Sequence, residues 1–321
     1  MNKLLIPVII LSLGASLRSD VVPAPLFTDN AVLQRDKPLP VWGMADAGEK
    51  VSVTFANQTL ATTADATGKW HVTLATLPTR AEGTNLVIKG KNTITLTNVV
   101  VGEVWIASGQ SNMEFTVKNT YDAAIDIPAS VTCPLIRHIQ IKTTIADAPV
   151  ATAMIERATW EITSPKTTGA FSAVGYYFAK DLYQTLGVPV GIISSNVGGT
   201  PVESWIPSEA YQTVPDVAAK VKARWDAVLA EFPTKKAAYE AELAAWNREQ
   251  STARATGQPF AKNAPREPAG PGHKYTPSGL YNGMINPLVP YAIRGAIWYQ
   301  GENNAGHADE YHALFSAMIE S

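Results

Sequence analysis

Cysteine is nearly absent from this 321-residue sequence, which contains Cys133 alone. An intramolecular disulfide is therefore excluded. The Pro, Thr and Leu neighbours of Cys133 offer no partners for a thiol nucleophile or a cysteine-rich zinc site, so we interpret it as a buried thiol. Stability must come from a hydrophobic core, and 46% hydrophobic residues are enough to build one.

An excess of one charge sign is also absent, since 26 Lys and Arg face 28 Asp and Glu. Proteins that bind nucleic acid concentrate Lys and Arg on one face, and a formal net charge of -2 with mixed signs gives no such footprint. We therefore expect no nucleic-acid partner, and a ligand that is small or neutral.

The apolar run from Leu4 to Leu13 is well short of the roughly 20 residues that a membrane span requires. It follows Met1-Asn-Lys3 and precedes Gly14-Ala-Ser16, which is the order of regions in a signal peptide. We predict a signal peptide over residues 1–16, no stable membrane span, and export to the periplasm or the medium.

Residues 20–100 are patterned as short β-branched and apolar runs, such as Val51–Phe55 and Trp70–Leu74, separated by turns such as Asp65–Gly68. This pattern predicts a small β-sandwich domain. Residues 101–321 differ, because apolar strands there alternate with helical periodicity, which predicts an α/β domain.

The α/β part has three strand candidates and one well-delimited helix. The strand candidates are Val101–Ala107, Val190–Ile193 and Ile293–Tyr299, and the helix runs from Ser172 to Gly187. A helical insertion is predicted over about residues 215–250, as two helices on either side of Pro233, and a surface loop follows from Thr256 to Pro277. The aromatic residues of the insertion could line a sugar site, but their spacing favours packing in the core.

Each of the three strands ends in a polar turn that contains glycine: residues 108–113, 194–200 and 300–304. The carboxyl ends of strands in an open α/β sheet are where ligands bind, so we expect the turns to meet. Ser111 would either cap a helix or act as a nucleophile, and Gly198-Gly199 would either relieve a tight turn or present an N–H group to an oxyanion. The amides of Gln300, Asn303 and Asn304 are turn formers or neutral oxyanion donors. The expected convergence of the three turns favours the catalytic interpretation of these residues.

Several blocks closely resemble the sialate O-acetylesterase family of the SGNH hydrolase group, over nearly the whole chain after the predicted signal peptide. The blocks are Val32–Arg35, Val41–Gly43, Val101–Met113, Gly198–Trp205, Leu280–Pro287 and Trp298–Glu302. The resemblance implies an SGNH flavodoxin-like hydrolase domain, a three-layer αβα fold with a parallel sheet, that removes acetyl groups from sugars by a serine mechanism without metal or cofactor.

The same resemblance implies roles for individual residues. Ser111 is the nucleophile, and the oxyanion is held by the N–H groups of Ser111 and Gly199 and by the side-chain amide of Gln300 or Asn303. The family usually has a small Ser where this chain has Asn303. Residues that support the site are Gln110, Asn112, Gly198 and Glu302.

The general base is the missing part of this scheme. In the family it is a His preceded by an Asp in a block near the C-terminus of a longer chain, and we interpret none of the five histidines here as belonging to that block. His307 and His312 are interpreted as solvated helix residues. We therefore hypothesise a fragment or a natural truncation with little esterase activity of its own. The alternatives left open are an esterase for acetylated xylan or other plant glycans instead of sialic acid, and an inactive carbohydrate-binding protein.

Overall fold

The structure, a computed structural model, describes residues 20–157 and 159–321. The predicted signal peptide at residues 1–16 lies outside this part of the chain. Among the helices that are described, none is long and apolar enough to cross a membrane.

The described chain folds into β-strands and α-helices joined by short 3₁₀ segments and loops. The strands are β1 Val22–Pro23, β2 Val32–Gln34, β3 Leu39–Met44, β4 Lys50–Phe55, β5 Gln58–Thr63, β6 Lys69–Leu74, β7 Arg80–Lys89, β8 Thr93–Gly109, β9 Ile136–Gln140, β10 Glu161–Ile162, β11 Val190–Asn196 and β12 Gly295–Tyr299. The helices are α1 Ser111–Glu114, α2 Ala123–Ala129, α3 Ala173–Leu186, α4 Pro215–Ala255 and α5 Ala308–Glu320.

The 17-residue strand β8 is central to the fold, because its two halves pair with different strands. Its first half pairs antiparallel with β7 and parallel with β2, and its second half pairs in parallel with β11 and β12. The large sheet has the order β10-β9-β11-β8-β7-β4-β5. The predicted change of pattern between residues 100 and 101 therefore falls inside one continuous strand.

The α/β fold with a central sheet is confirmed, but the prediction of a parallel sheet is only partly right. Strands β9, β11, β8 and β12 are parallel neighbours, whereas β7, β4 and β5 are antiparallel and β10 is antiparallel to β9. Short links explain this difference: β4 and β5 are separated by two residues and β7 and β8 by three, and only antiparallel strands can be joined so tightly.

The β-rich first third has the alternating burial that its sequence predicts. In β6, Trp70, Val72 and Leu74 are buried while the residues between them are exposed. A smaller sheet of β1, β3 and β6 contributes these side chains to the same core as Val53 and Phe55 of the large sheet.

Helix α3 covers the parallel half of the sheet and confirms the predicted helix. Ser172 caps its first turn by accepting a hydrogen bond from Gly175 N at 3.1 Å, and Gly187 ends it in the left-handed conformation at φ 66°. Its buried face, with Tyr176 and Ala179, packs in one cluster with residues of β9 and β11.

The insertion differs from its prediction in two ways. Residues 215–255 form one helix, α4, that continues through Pro233, and Val221 is its only buried residue. The predicted core packing of its aromatic residues is therefore wrong. The reason is that loop 257–270 folds back along the helix: Trp246 Nε1 donates to Lys262 O at 2.8 Å, and the Trp246 and Phe260 rings are 5.4 Å apart.

Candidate active site

The three polar turns meet at one edge of the sheet, as their sequence positions predict. Gly109 at the end of β8 is in register with Asn196 at the end of β11 and with Tyr299 at the end of β12. The turns that follow these strands therefore start at the same level.

The turn after β8 requires glycine, because Gly109 has φ +135° and a Cβ there would lie 2.2 Å from Tyr299 O. This close approach lets Gln110 N donate to Tyr299 O at 2.9 Å. Ser111 then begins α1 with an exposed side chain, and no hydrogen bond joins its hydroxyl to another described residue. The fold thus presents a free serine hydroxyl at a sharp strand-to-helix turn.

Gln110 locks the Ser111 turn to the turn after β12. Its side chain is 3% exposed, and its Oε1 accepts from Gly301 N at 3.1 Å and from Asn303 N at 3.3 Å. A second link is made by Asn112, whose amide donates to the Glu302 carboxylate. The predicted supporting roles of these side chains are consistent with this geometry.

Gly198 lies directly beside Ser111. An added Cβ at Gly198 would be 3.6 Å from Ser111 Cβ and 2.5 Å from Glu114 Oε2. The same carboxylate oxygen accepts from Gly198 N at 2.9 Å, so α1 carries both the serine and the group that orients the neighbouring turn.

Hydrogen bonds to the carbonyl oxygens of Gly198 and Gly199 hold this turn in place. The N–H group of Gly199 remains available. Lys274 Nζ donates to Gly198 O at 2.5 Å, and Asn303 Nδ2 donates to Gly199 O at 3.1 Å and to Tyr275 Oη at 3.3 Å. No described acceptor lies within hydrogen-bond reach of Gly199 N. A fixed, unpaired N–H group beside a serine is what an oxyanion site requires.

The two candidate amides occupy different surroundings. Gln300 Nε2 already donates to Thr200 O at 3.1 Å and to Asn304 Oδ1 at 2.7 Å, so both of its protons are engaged. Asn304 is buried and also accepts from Val202 N at 2.9 Å. Asn303 Nδ2 also donates twice, to Gly199 O and to Tyr275 Oη, but Asn303 is half-buried and borders Gly199 directly, which makes it the better placed of the two amides.

A cluster of the half-buried Arg224 and two buried carboxylates links α4 to these turns. Arg224 lies 3.1 Å from a Glu203 oxygen and 2.8 Å from a Glu310 oxygen, and Asn304 Nδ2 donates to Glu203 at 2.7 Å. The hydrogen bond to Glu310, together with the charges of both carboxylates, raises the pKa of Arg224 although burial opposes the shift.

None of the five histidines is hydrogen-bonded to Ser111. His71 is exposed on β6, and His307 and His312 are exposed as predicted. Burial, followed by the nearby charge of Lys274, lowers the pKa of His273. His138 on β9 is buried against Phe171, neither of its ring nitrogens has a partner among the described residues, and burial lowers its pKa to about 3.

Two cavities flank the turns. The first, here called the Glu114 cavity, has a volume of about 340 Å³ and is lined by Glu114, His138, Gln140 and Asn196 among others. The second, here called the Trp225 cavity, has a volume of about 230 Å³ and is lined by Arg224, Trp225, Tyr275, Asn303 and His307 among others. Within residues 20–157 and 159–321, no cluster of three or more His, Cys, Asp or Glu side chains is arranged to hold a metal ion.

Sequence reasoning missed three residues of the site. Glu114 follows the Ser111 motif directly, and an acidic residue one turn after a candidate nucleophile was a usable signal. Lys274 and Tyr275 lie in the loop predicted over residues 256–277, and nothing local indicates that this loop returns to the strand ends.

Comparisons with known proteins show which families the sequence is similar to. A family model described as "Carbohydrate esterase, sialic acid-specific acetylesterase" matches residues 101–244. The sialate O-acetylesterase of Rattus norvegicus is 29% identical over 314 residues, which are 91% of this chain and 54% of that protein. The human sialate O-acetylesterase is 25% identical over 92% of this chain and 52% of its own length.

One solved structure is similar to this chain in fold. The crystal structure of a carbohydrate acetylesterase from Xanthomonas citri superimposes with a TM-score of 0.71 at 29% identity, and the match covers 94% of this chain and 56% of that one. The chain thus spans about half the length of the relatives it matches. The resemblance predicted from its motifs is confirmed: the chain is similar in sequence to sialate O-acetylesterases and in fold to a carbohydrate acetylesterase.

Proposed function

We propose that this protein is a carbohydrate O-acetylesterase of the sialate O-acetylesterase type, with Ser111 as its nucleophile. The observation that carries the proposal is the unpaired Ser111 hydroxyl beside the Gly198-Gly199 turn, whose Gly199 N–H group is also unpaired. Similarity to sialate O-acetylesterases and to a carbohydrate acetylesterase supports acetylated sugars as the substrate class.

In the proposed reaction, Ser111 Oγ attacks the carbonyl carbon of a sugar acetate. The resulting oxyanion accepts hydrogen bonds from the N–H groups of Ser111 and Gly199, and the amide of Asn303 adds a third donor by a small rotation away from Gly199 O. Collapse breaks the bond to the sugar oxygen, which leaves as a hydroxyl after it gains a proton. Water then attacks the acetyl-serine and releases acetate.

The mechanism also needs a base for the Ser111 proton, and no histidine of this chain is in hydrogen-bond contact with that hydroxyl. The resemblance implies a histidine of an Asp-x-x-His block as this base. Asp309 and His312 have that spacing, but His312 is exposed on α5 and makes no hydrogen bond to Ser111. The uncatalysed loss of this proton at neutral pH is unfavourable, so the chain by itself should hydrolyse sugar acetates slowly.

The finer fold and the location are part of the same proposal. We propose that residues 20–100 form a β-sandwich domain and residues 101–321 an SGNH hydrolase domain with a three-layer αβα arrangement; the two sheets around one core and the position of α3 support this reading. Export to the periplasm or the medium rests on the sequence of residues 1–16 alone.

The test is acetate release from 9-O-acetylated sialic acid and from acetylated xylan, with and without added imidazole as an external base. We expect slow release that imidazole accelerates and that Ser111→Ala abolishes. Equal release by the wild-type chain and Ser111→Ala would contradict the role of Ser111. No release from any acetylated sugar, even with imidazole, would contradict the proposal and favour a binding protein.

A further inference from the structure

The Trp225 cavity lies between α4 and the turns after β11 and β12. Trp225 and Arg224 reach it from α4, Asn303 and His307 from the segment after β12, and Tyr275 from the loop before residue 277. Its volume of about 230 Å³ is somewhat below the range of drug-sized ligand pockets, which suits a single small ring.

This cavity and the candidate active site share one bordering side chain, Asn303. Asn303 Nδ2 donates to Gly199 O at 3.1 Å and to Tyr275 Oη at 3.3 Å, so the amide borders the Gly199 turn on one side and the cavity on the other. A ligand that displaces this amide from Gly199 O would reach from the Gly199 turn towards Trp225.

The exposure of Trp225 distinguishes it from a core residue. Val221, one turn earlier on α4, is 5% exposed, whereas Trp225 is half-buried and Tyr275 is 37% exposed. An aromatic side chain carries 150–250 Å² of surface that gains from burial, and here two such rings stay open on one cavity. No hydrogen bond to a described residue occupies the indole N–H group of Trp225.

The polar groups around the rings suit the hydroxyl groups of a ligand. Asn303 offers a neutral amide, and the Arg224 guanidinium is already engaged by the Glu203 and Glu310 carboxylates. An open aromatic surface with a few convergent polar groups is the composition of a site for a small ring with polar substituents, and a pyranose has apolar C–H faces and a rim of hydroxyls.

We propose that the Trp225 cavity is the subsite that holds the sugar ring of the ester, with Trp225 as its stacking residue and Asn303 at the junction with the acetyl group. This inference rests on the proposed function. The shared chemistry is a pyranose ring, which either a neutral plant sugar or sialic acid would supply.

The test measures binding of the deacetylated sugar, which does not require hydrolysis. Methyl β-xylopyranoside and N-acetylneuraminic acid are titrated separately into the wild-type chain, Trp225→Ala, Trp225→Phe and the control Trp246→Phe, with saturation-transfer NMR as the readout. We expect at least one sugar to bind, about tenfold weaker binding for Trp225→Ala, a loss of about threefold or less for Trp225→Phe, and no change for Trp246→Phe. Which sugar binds identifies the source of the ring.

Unchanged binding in Trp225→Ala, or no binding of either sugar to the wild type, would overturn the subsite. Hydrolysis of ethyl acetate in the presence of imidazole separates this result from a failure of the proposed function, because that ester has no ring that could stack on Trp225. We expect the wild type, but not Ser111→Ala, to hydrolyse it faster than the imidazole buffer without protein. Matching thermal unfolding curves establish that Trp225→Ala is folded.

Discussion

The strand ends around Ser111 and the outer part of α4, residues 229–255, differ in what holds their side chains. At the strand ends, polar side chains such as those of Gln110, Asn196 and Asn304 are almost fully buried and hydrogen-bonded. In the outer part of α4 every side chain is half-buried or exposed, and loop 257–270 packs along this part of the helix. Close backbone packing and buried polar contacts thus fix the site, whereas only a few contacts hold the outer part of α4.

Among the substitutions that test this difference, Gly109→Ala should have the largest effect on stability. The new Cβ would lie 2.2 Å from Tyr299 O in a conformation that L side chains rarely adopt. We expect the free energy of unfolding to fall by about 4 kcal/mol, since backbone strain and overpacking add. Urea unfolding followed by circular dichroism measures it. The control is Gly306→Ala, where nothing lies within 4 Å, and similar stability for both variants would refute the steric argument.

Arg224→Met tests the ion cluster that links α4 to the strand ends. It would leave the carboxylates of Glu203 and Glu310, whose side chains are 9% and 6% exposed, without their guanidinium. We expect a loss of about 3 kcal/mol in the free energy of unfolding. Lys222→Met removes an exposed pair with Asp226 from the same helix and should cost less than about 1 kcal/mol. Equal costs would mean that the cluster is no stronger than a surface pair.

Acidification should weaken the sheet through His138. Burial, with a smaller contribution from Arg157, lowers the pKa of His138 to about 3 in the folded protein, whereas an unfolded histidine takes up a proton below about pH 6.5. Between these pH values the unfolded state binds one proton more, so stability falls as pH falls. From pH 7 to pH 5 this amounts to about 2 kcal/mol.

The measurement is urea unfolding at both pH values for the wild type and His138→Phe. The phenylalanine keeps the stacking on Phe171, whose ring centroid is 4.4 Å away, and removes the titrating group. We expect a smaller loss of stability on acidification for this variant. The same loss in both proteins would assign the acid sensitivity to other groups.

Trp246→Ala should have the smallest effect, because it removes only contacts with the covering loop. We expect a loss of about 1 kcal/mol in the free energy of unfolding, against about 3–5 kcal/mol for Trp160→Ala in the core, where the side chain is 0% exposed. Thermal and urea unfolding of both variants provide the comparison. A loss for Trp246→Ala as large as that for Trp160→Ala would show that the outer helix belongs to the main cooperative unit.

Local signals in the sequence predicted the elements that local contacts determine. The limits of α3 follow from the Ser172 cap and from the left-handed Gly187, and the convergence of the three turns follows from their places after parallel strands. The resemblance of the motifs to the sialate O-acetylesterase family was likewise visible in the sequence and is confirmed by the family model and the relatives.

The remaining features depend on contacts between distant segments. The mixed sheet arises because β8 serves two sets of partners, and the continuity of α4 through Pro233 has no marker in helix periodicity. Loop 257–270 covers α4, and Lys274 reaches Gly198 from 76 positions away. Propensity and spacing describe a segment by itself, so neither could indicate these pairings.

The central claim is that the Ser111 hydroxyl is the nucleophile of this strand-end site. The most direct measurement is mass spectrometry of the peptide containing residue 111 after treatment with a serine-directed organophosphonate in the presence of imidazole. The account predicts one adduct per chain, on Ser111, and none on Ser111→Ala. An unmodified Ser111, or an adduct that persists in Ser111→Ala, would contradict it.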